Sequence, residues 1–349
     1  MEEIFFYLIG DLMKGWKITK PFELVEKEII ESETNTLPKV KITKSLLTIS
    51  DVLRFNGEIE VESLIPGSTA IGILTETEAN LFGLVKGKHV YIQPNRPCNE
   101  CHECKSGHSE NCSNLQIAGE SFDGFVSDFI STEAENLFLL PESVSDNDAL
   151  FIEHISLALS VVDKLGVQAG DYVAIIGGNN FGNILAQLLI YYQAVPIVMT
   201  NDEEDFNICK NSGIYYVLNQ DDNWQKEVSQ ITSGRMTNSV VYIADCNISA
   251  TKAFALASYG AGVAFTGVSY KNSPIPFSQA VKKQLNIRCI NNGYGNTTSS
   301  INLLANKAIN LSNLKIESTS YENVPSALKD MSDMLENDGK IYETIVELV

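Results

Sequence analysis

Four of the chain's seven cysteines crowd into fifteen residues, and no other feature narrows its fold as sharply. Cys98, Cys101, Cys104 and Cys112 form the pattern C-x2-C-x2-C-x7-C. A tetrahedral Zn2+ takes four thiolates at about 2.3 Å, and gaps of two residues let one loop supply several of them. Gly107, Ser109 and Ser113 favour a tight lobe over a helix. Four cysteine ligands close the coordination shell, so such a zinc holds a fold and leaves no position for a substrate. An iron–sulfur cluster uses the same donors, but no second cysteine group accompanies this one. Cys209, Cys246 and Cys289 stand in apolar or helical surroundings and read as small buried hydrophobes.

Charge removes two classes of partner. Lys and Arg number 25 against 44 Asp and Glu, a formal net charge of −19. Phosphate backbones and anionic lipid repel such a chain, so neither nucleic acid nor a membrane surface is expected to bind it. No apolar run reaches the ~20 residues that cross a bilayer. The start, Met1-Glu2-Glu3 and then a short apolar stretch at 4–9, lacks the features of a secretory signal. The expected location is the cytoplasm, where clustered cysteines bind metal before they form disulfides.

A length of 349 residues suggests two domains. The first ~150 residues hold short β-like runs between turn residues, at 40–42, 70–74, 89–92 and 125–130, as in a barrel-type domain. From about 154 the pattern changes. Apolar runs at 172–176, 195–199, 215–218, 239–243, 262–265 and 286–290 alternate with helix-like segments. Six such runs at βαβ spacing imply an α/β, doubly wound parallel sheet. The stretch 293–349 ends with a helix near 324–335 and a strand near 341–348.

The run 172–176 leads into Gly177-Gly178-Asn179-Asn180-Phe181-Gly182, with a helix expected over 183–193. In a strand–turn–helix of this kind, backbone N–H groups and the helix N-terminus hold a pyrophosphate. Asn179 replaces the middle glycine of G-x-G-x-x-G. Asn tolerates positive φ, so the turn can form, although its side chain crowds an incoming phosphate. A merely structural turn is the other reading. An acid gripping the adenosine ribose is expected where the second strand ends, and Thr200 stands there. Asn201-Asp202-Glu203-Glu204-Asp205 follows. Acids in a helix's first turn complement its dipole. These four also oppose a 2′-phosphate, with no Arg or Lys nearby to receive one. NAD is therefore expected over NADP, with Asp202 taking the ribose contact.

Over nearly its full length the chain resembles the medium-chain dehydrogenase/reductases, in the zinc alcohol and polyol dehydrogenase branch. The cysteine tetrad is the specific element. Ser50-Asp51, Pro66-Gly67, Asp123-Gly124-Phe125 and Val167-Gln168-Ala169-Gly170-Asp171 support it. The resemblance implies a GroES-like barrel-type catalytic domain from 1–153 and 293–349, with a Rossmann domain at 154–292 between them. It implies NAD(P)-dependent hydride transfer on a small-molecule substrate, with Gly267 and Val268 among the cofactor-binding residues. It also implies a homodimer or homotetramer, joined at Rossmann-sheet edges formed here by 262–268 and 286–290.

In that family a second zinc polarises the substrate oxygen. The resemblance places its ligands in three segments, which read Thr48-Ile49-Ser50-Asp51, Gly67-Ser68-Thr69 and Glu153-His154. Thr48 stands in the place of a cysteine, and Ser68 in that of a histidine. Hydroxyls are poor zinc ligands, so no stable catalytic zinc is expected. Ser50 matches the hydroxyl of the family's proton relay. Glu153, without a metal, becomes a buried carboxylate beside His154: a general acid/base pair, or a salt bridge left behind. Three functions remain open. One is a zinc-free oxidoreductase acting on a small carbonyl, alcohol or activated double bond. A second is a zinc-dependent alcohol or polyol dehydrogenase. The third is a degenerate, non-catalytic binder of a nucleotide or partner.

Overall fold

Strand pairing and packing divide the computed structural model into two units, Met1–Phe151 with Ile316–Val349, and Ile152–Lys315. The structure describes residues 12–30, 37–60, 63–77, 83–219, 223–244, 246, 248–268 and 274–348. The N-terminal stretch read above for a signal lies outside the described residues. No described helix is long and apolar enough to cross a membrane.

The first unit is built on a sheet ordered Ile316–Ser320, Glu343–Glu347, Lys39–Leu47, Thr69–Glu76, His89–Ile92 and Leu137–Leu139, with Phe129–Ser131 also pairing to Lys39–Leu47. Alternation sets its inner face. Val40 and Ile42, two residues apart, are fully buried and pack with Ala70, Leu74, Val90, Ile92 and Phe125. Each large apolar side chain so buried contributes about 1.5–3 kcal/mol. The run at 125–130 is only partly a strand. Phe125 and Val126 instead donate backbone hydrogen bonds to Gly67 and Pro66, across an irregular crossing. Helix Val324–Asp338 stops at Gly339, whose φ of +67° supplies the left-handed cap.

The second unit is a six-stranded parallel sheet. Its order is Tyr216–Leu218, Val195–Met199, Tyr172–Ile176, Thr237–Ile243, Ala257–Thr266 and Asn286–Ile290. That is the doubly wound order 3-2-1-4-5-6, and it opens a crevice beyond the carboxyl ends of the strands. Strands such as Tyr-Val-Ala-Ile-Ile are apolar throughout because helices cover both faces.

Residues 293–315 group with this unit, whereas the sequence reading placed them with the barrel. The cause is packing against helix Ile152–Leu165. Ser156 Oγ and Ser300 Oγ lie 2.8 Å apart, and Asn296 Nδ2 donates to Ser160 Oγ at 3.0 Å. A Cβ on Gly293 would lie 2.3 Å from the Ser156 carbonyl carbon, so the two backbones touch.

The sheet edge also differs from expectation. Ala257–Thr266 lies one strand inside, and Asn286–Ile290 alone forms that edge. Cys289, on the edge strand, is exposed, and Cys246 is half-buried. Of the three outlying cysteines only Cys209 is the buried hydrophobe expected.

Candidate functional site

In the first unit, the two-residue pairing of Asn95–Arg96 with Gln116–Ile117 pins the base of the cysteine lobe. The lobe holds a single helical turn, His102–Lys105, and a 3-10 turn, Ser109–Asn111, both shorter than a helix needs to stand alone. All four Sγ atoms lie within 4.8 Å of one another. Cys101 to Cys104 is 3.5 Å, Cys101 to Cys112 is 3.9 Å, and Cys98 to Cys112 is 3.5 Å. Bonds of about 2.3 Å at tetrahedral angles set sulfur–sulfur edges of about 3.8 Å, so the donors fit zinc. Among the described residues, this is the cluster of His, Cys, Asp or Glu able to hold a metal. Backbone N–H groups, led by that of Cys104, lower the Cys101 thiol to about 6. Burial and the Cys101 sulfur hold Cys104 up at about 11. A divalent cation resolves that conflict by drawing all four to the thiolate.

The segments matching the second zinc's ligands have other occupations. Thr48 caps helix Ile49–Phe55, and its hydroxyl donates to Asp51 Oδ2 at 3.3 Å. Asp51 is 1% exposed. It accepts the Thr48 N–H at 2.8 Å and the Gly67 N–H at 2.8 Å. Burial raises its pKa, and those backbone donors offset the rise only in part. Gly67 has φ +90°, and a Cβ on Gly124 would lie 2.5 Å from the Gly67 oxygen. Asp51, Gly67 and Gly124 thus form one tight knot. The Ser50 carbonyl accepts from the Arg54 guanidinium at 3.1 Å, and Arg54 pairs with Glu120 at 3.1 Å. Ser68 is half-buried, and Thr69 is buried at the start of its strand. The role of Asp51 escaped the sequence reading, although an acid three residues after a threonine is a capping-box signal.

In the second unit, Gly177 takes φ +118°, and its N–H donates to Met199 O at 2.9 Å. A Cβ on Gly182 would lie 2.1 Å from the Gly177 oxygen, and one on Gly178 would lie 2.9 Å from Thr200 Cβ. Both glycines serve close packing of the turn. Asn179 does not use the positive φ anticipated for it. It lies at φ −60°, ψ −178°, as the N-cap of helix Asn180–Tyr191, and its Oδ1 accepts the Gly182 N–H at 3.0 Å. An N-cap needs extended backbone, and the side-chain hydrogen bond rewards it. The Asn180 side chain holds the main chain of Lys315, donating to its oxygen at 2.7 Å and accepting its N–H at 3.2 Å.

Thr200, 2% exposed, accepts the Asp202 N–H at 3.1 Å. Asp202 caps helix Glu203–Asn211 by accepting the Asp205 N–H at 2.9 Å. A cation does stand beside these acids, contrary to the sequence reading. The fold brings Lys315 Nζ to 3.4 Å from Glu204 Oε1. Glu153 and His154 begin helix Ile152–Leu165; each residue is half-buried as a whole, but Glu153 Oε2 and His154 Nδ1 are themselves buried, as expected of that carboxylate. Glu153 Oε1 accepts the Gly293 N–H at 3.3 Å, while the His154 ring lies 6.5 Å from that of Phe181. Gly267, with φ +85°, and Val268 follow the fifth strand. This unit therefore gathers Glu153, His154, Phe181, the glycine turn and Thr200 around the carboxyl ends of its strands. Thr48 and Ser50 belong to the other unit.

Two family descriptions match the chain, "Alcohol dehydrogenase GroES-like domain" over residues 37–142 and "Zinc-binding dehydrogenase" over residues 181–306. An uncharacterized zinc-type alcohol dehydrogenase-like protein of Haemophilus influenzae is 27% identical over 338 residues, covering 94% of this chain and 98% of that one. The starvation-sensing protein RspB of Escherichia coli is 27% identical over 282 residues, covering 79% and 82%. Among solved structures, an Escherichia coli alcohol dehydrogenase (rspB) complexed with NADH superposes with TM-score 0.83 at 24% identity, covering 97% of this chain and all of that one. A zinc-binding dehydrogenase of Sinorhizobium meliloti bound to NADP gives 0.82 at 19% identity, covering 97% and 100%. With the GroES-like region, the Rossmann order and the thiol tetrad in place, the chain belongs to the zinc-type alcohol dehydrogenase-like branch of the medium-chain dehydrogenase/reductases, a family of NAD(P)-dependent oxidoreductases.

Proposed function

We propose that this chain transfers hydride between NAD, in preference to NADP, and a small alcohol, carbonyl or activated double bond, with its one zinc in the cysteine lobe. The donor chemistry at Thr48, Ser68 and Glu153 carries the zinc-free part of this reading. Two hydroxyls and a carboxylate make a weak set beside thiolate and imidazole, and the Thr48 hydroxyl is already engaged with Asp51. Hydride transfer itself is the cofactor's chemistry. The chain's own residues bind, orient and exchange the accompanying proton. That proton is assigned to the Ser50 hydroxyl or to His154. Gly177, Gly178, Asn179, Asn180, Phe181 and Gly182 would hold the pyrophosphate, with Gly267 and Val268 beside the nicotinamide half. The preference for NAD follows from the carboxylates of Asp202, Glu203, Glu204 and Asp205 at the start of one helix, which oppose a 2′-phosphate even with Lys315 paired to Glu204.

Metal analysis of the purified protein tests the first part, with one zinc per chain expected and two overturning it. Titration with NADH and NADPH tests the second, and tighter binding of NADPH overturns it. Ser50→Ala and His154→Asn separate the two proton routes. The group in use shows as the variant whose pH–rate profile loses a limb. A second copy of the chain is the proposed partner, docked on the exposed edge strand Asn286–Ile290. A monomer by light scattering at micromolar concentration overturns that assembly. The cytoplasm, which keeps thiols reduced, is the location these features suit.

A further inference from the structure

Buried hydroxyls of the second unit bond within it. Thr232 donates to Val228 O at 2.7 Å, Thr237 donates to Leu256 O at 3.0 Å, and the Ser156 and Ser300 hydroxyls meet at 2.8 Å. Thr266 breaks that pattern. It ends the fifth strand, Ala257–Thr266, and is 3% exposed. Its backbone carbonyl accepts the Ala244 N–H at 2.8 Å, but its Oγ1 is buried with no hydrogen-bond partner among the described residues. A buried hydroxyl left unpaired costs stability, and a valine of the same outline would avoid that cost. An orphan of this kind marks a place where a group from outside the fold completes the bond.

The strand register places that hydroxyl. Thr266 pairs with Ile243 on one side and with Ile290 on the other, both buried. Paired residues of neighbouring strands share a face of the sheet. On that face Ile243 lies against the glycine turn: a Cβ on Gly177 would stand 3.1 Å from Ile243 Cβ, and one on Gly182 would stand 3.2 Å from its Cδ1. Gly262, four residues before Thr266 and so on the same face, meets the end of helix Ile152–Leu165, since a Cβ there would lie 2.8 Å from Leu165 Cδ2. The start of that helix packs at the opposite end of the sheet, where Ser156 meets Gly293 just beyond the sixth strand. Thr266 Oγ1 therefore lies between the glycine turn and the start of helix Ile152–Leu165, at the carboxyl ends of the strands.

A dinucleotide lies across such a crevice with its pyrophosphate at the N-terminus of the helix after the first strand. The acids after the second strand stand on the adenosine side. Thr266 stands on the other side, two strands from the first in the order 1-4-5 and so about 10 Å away. The nicotinamide half reaches in that direction. Ile243 and Ile290 make the flanks of Thr266 apolar, which suits a flat ring and not a phosphate. The ring's hydrogen-bonding substituent is its carboxamide, and a hydroxyl can donate to the amide oxygen or accept from the amide nitrogen. We propose that the Thr266 hydroxyl is a positioning group for the cofactor: it hydrogen-bonds the nicotinamide carboxamide and so fixes which face of the ring meets the substrate. The proposal rests on the dinucleotide reading above. It also explains why a hydroxyl that weakens the empty fold stands at this position.

Calorimetric titration of the wild type, Thr266→Val and Thr266→Ser with NADH and with ADP-ribose, which lacks the nicotinamide ring, provides the test. Thr266→Val keeps the branched outline, so without ligand its thermal midpoint should equal or exceed that of the wild type. Its Kd for NADH should nevertheless rise about ten-fold, the scale of one hydrogen bond with a partner left unpaired. ADP-ribose should bind both proteins within about two-fold of one another. Thr266→Ser, which keeps the hydroxyl, should restore the Kd for NADH to within about three-fold of the wild type. A lower midpoint for unliganded Thr266→Val means that the hydroxyl is satisfied inside the fold, and overturns the proposal. Unchanged NADH affinity in that variant overturns it too and leaves the dinucleotide reading standing. Equal weakening of NADH and ADP-ribose has the same force, as does a serine variant as weak as the valine one. Failure of the wild type to bind NADH, NADPH or ADP-ribose overturns the dinucleotide reading and the proposal with it.

Discussion

The cysteine lobe and the Thr48–Gly67 knot, both in the first unit, treat metal-binding ancestry in opposite ways. The lobe keeps four thiols at sulfur–sulfur spacings suited to one cation. The knot has Thr48 and Ser68 where the family resemblance would place a cysteine and a histidine, and its scaffold is intact. Asp51 still accepts from the backbone of Thr48 and of Gly67. The physical demands differ. Buried N–H groups need an acceptor whether or not an ion is present, so Asp51 cannot be dropped. Clustered thiolates gain their main stabilisation from the ion itself, so they persist only while zinc is bound. Scaffold and ligands are thus separable, and only ligands report on the chemistry.

The largest effect that can break this contrast is Cys101→Ser. Structural zinc in small domains supplies an apparent folding energy of about 10–16 kcal/mol. Here the lobe is attached to a larger unit, so the loss should be local: zinc content well below one per chain, and faster amide exchange across 95–115. Unchanged zinc content and unchanged exchange would sink the assignment. Acidification should act in the same direction. The Cys101 thiol sits near 6 when folded, against 9.0 for the free group, chiefly because the Cys104 N–H favours the thiolate. A depressed folded value stabilises fully above the unfolded one and loses that contribution as pH falls through about 6. Zinc binding requires all four thiols as thiolates, so zinc release, followed with a coloured chelator, should rise as the pH is lowered. Retention of the metal at pH 4 counts against the site.

Asp51→Ala sharpens the other half of the contrast. It leaves the N–H groups of Thr48 and Gly67 buried without an acceptor. The expected cost is about 3 kcal/mol, read from urea denaturation. Zinc per chain should not change. A fall in zinc would mean that the knot, and not the lobe alone, takes part in metal binding.

Much of this architecture is legible in the residues, for reasons that vary by region. Strands 172–176, 195–199 and 286–290 match their expected bounds because short apolar runs between polar turns leave little choice. The fifth strand runs Ala257–Thr266, five residues earlier than its apolar run suggests, since it follows helix Thr251–Leu256 directly and pairs with Thr237 through Ala257. The cysteine spacing needs no fold to be read. By contrast, the Lys315–Glu204 pair joins residues far apart in sequence, which no local pattern reveals. Asn179 was ambiguous in principle: asparagine suits both a left-handed turn and a helix cap, and only the position of the Gly182 N–H decides between them. The grouping of 293–315 turned on Gly293, whose close approach to Ser156 is a tertiary fact.

The smallest effect is the most discriminating, because it separates a ligand from a cap. The Thr48 hydroxyl meets Asp51 Oδ2 at 3.3 Å, long for an O–H donor, whereas its backbone N–H makes the shorter contact of 2.8 Å. Thr48→Val keeps the shape and the N–H and deletes only the hydroxyl. Asp51 retains its two backbone donors, so the stability loss should be about 0.5–1 kcal/mol in urea denaturation. If the hydroxyl also held a metal, the same substitution would lower zinc content along with stability. Zinc unchanged at one per chain, with stability within about 1 kcal/mol of wild type, is the outcome required of a residue that caps a helix. A drop in zinc from two to one would place a metal at Thr48 and erase the contrast with the lobe.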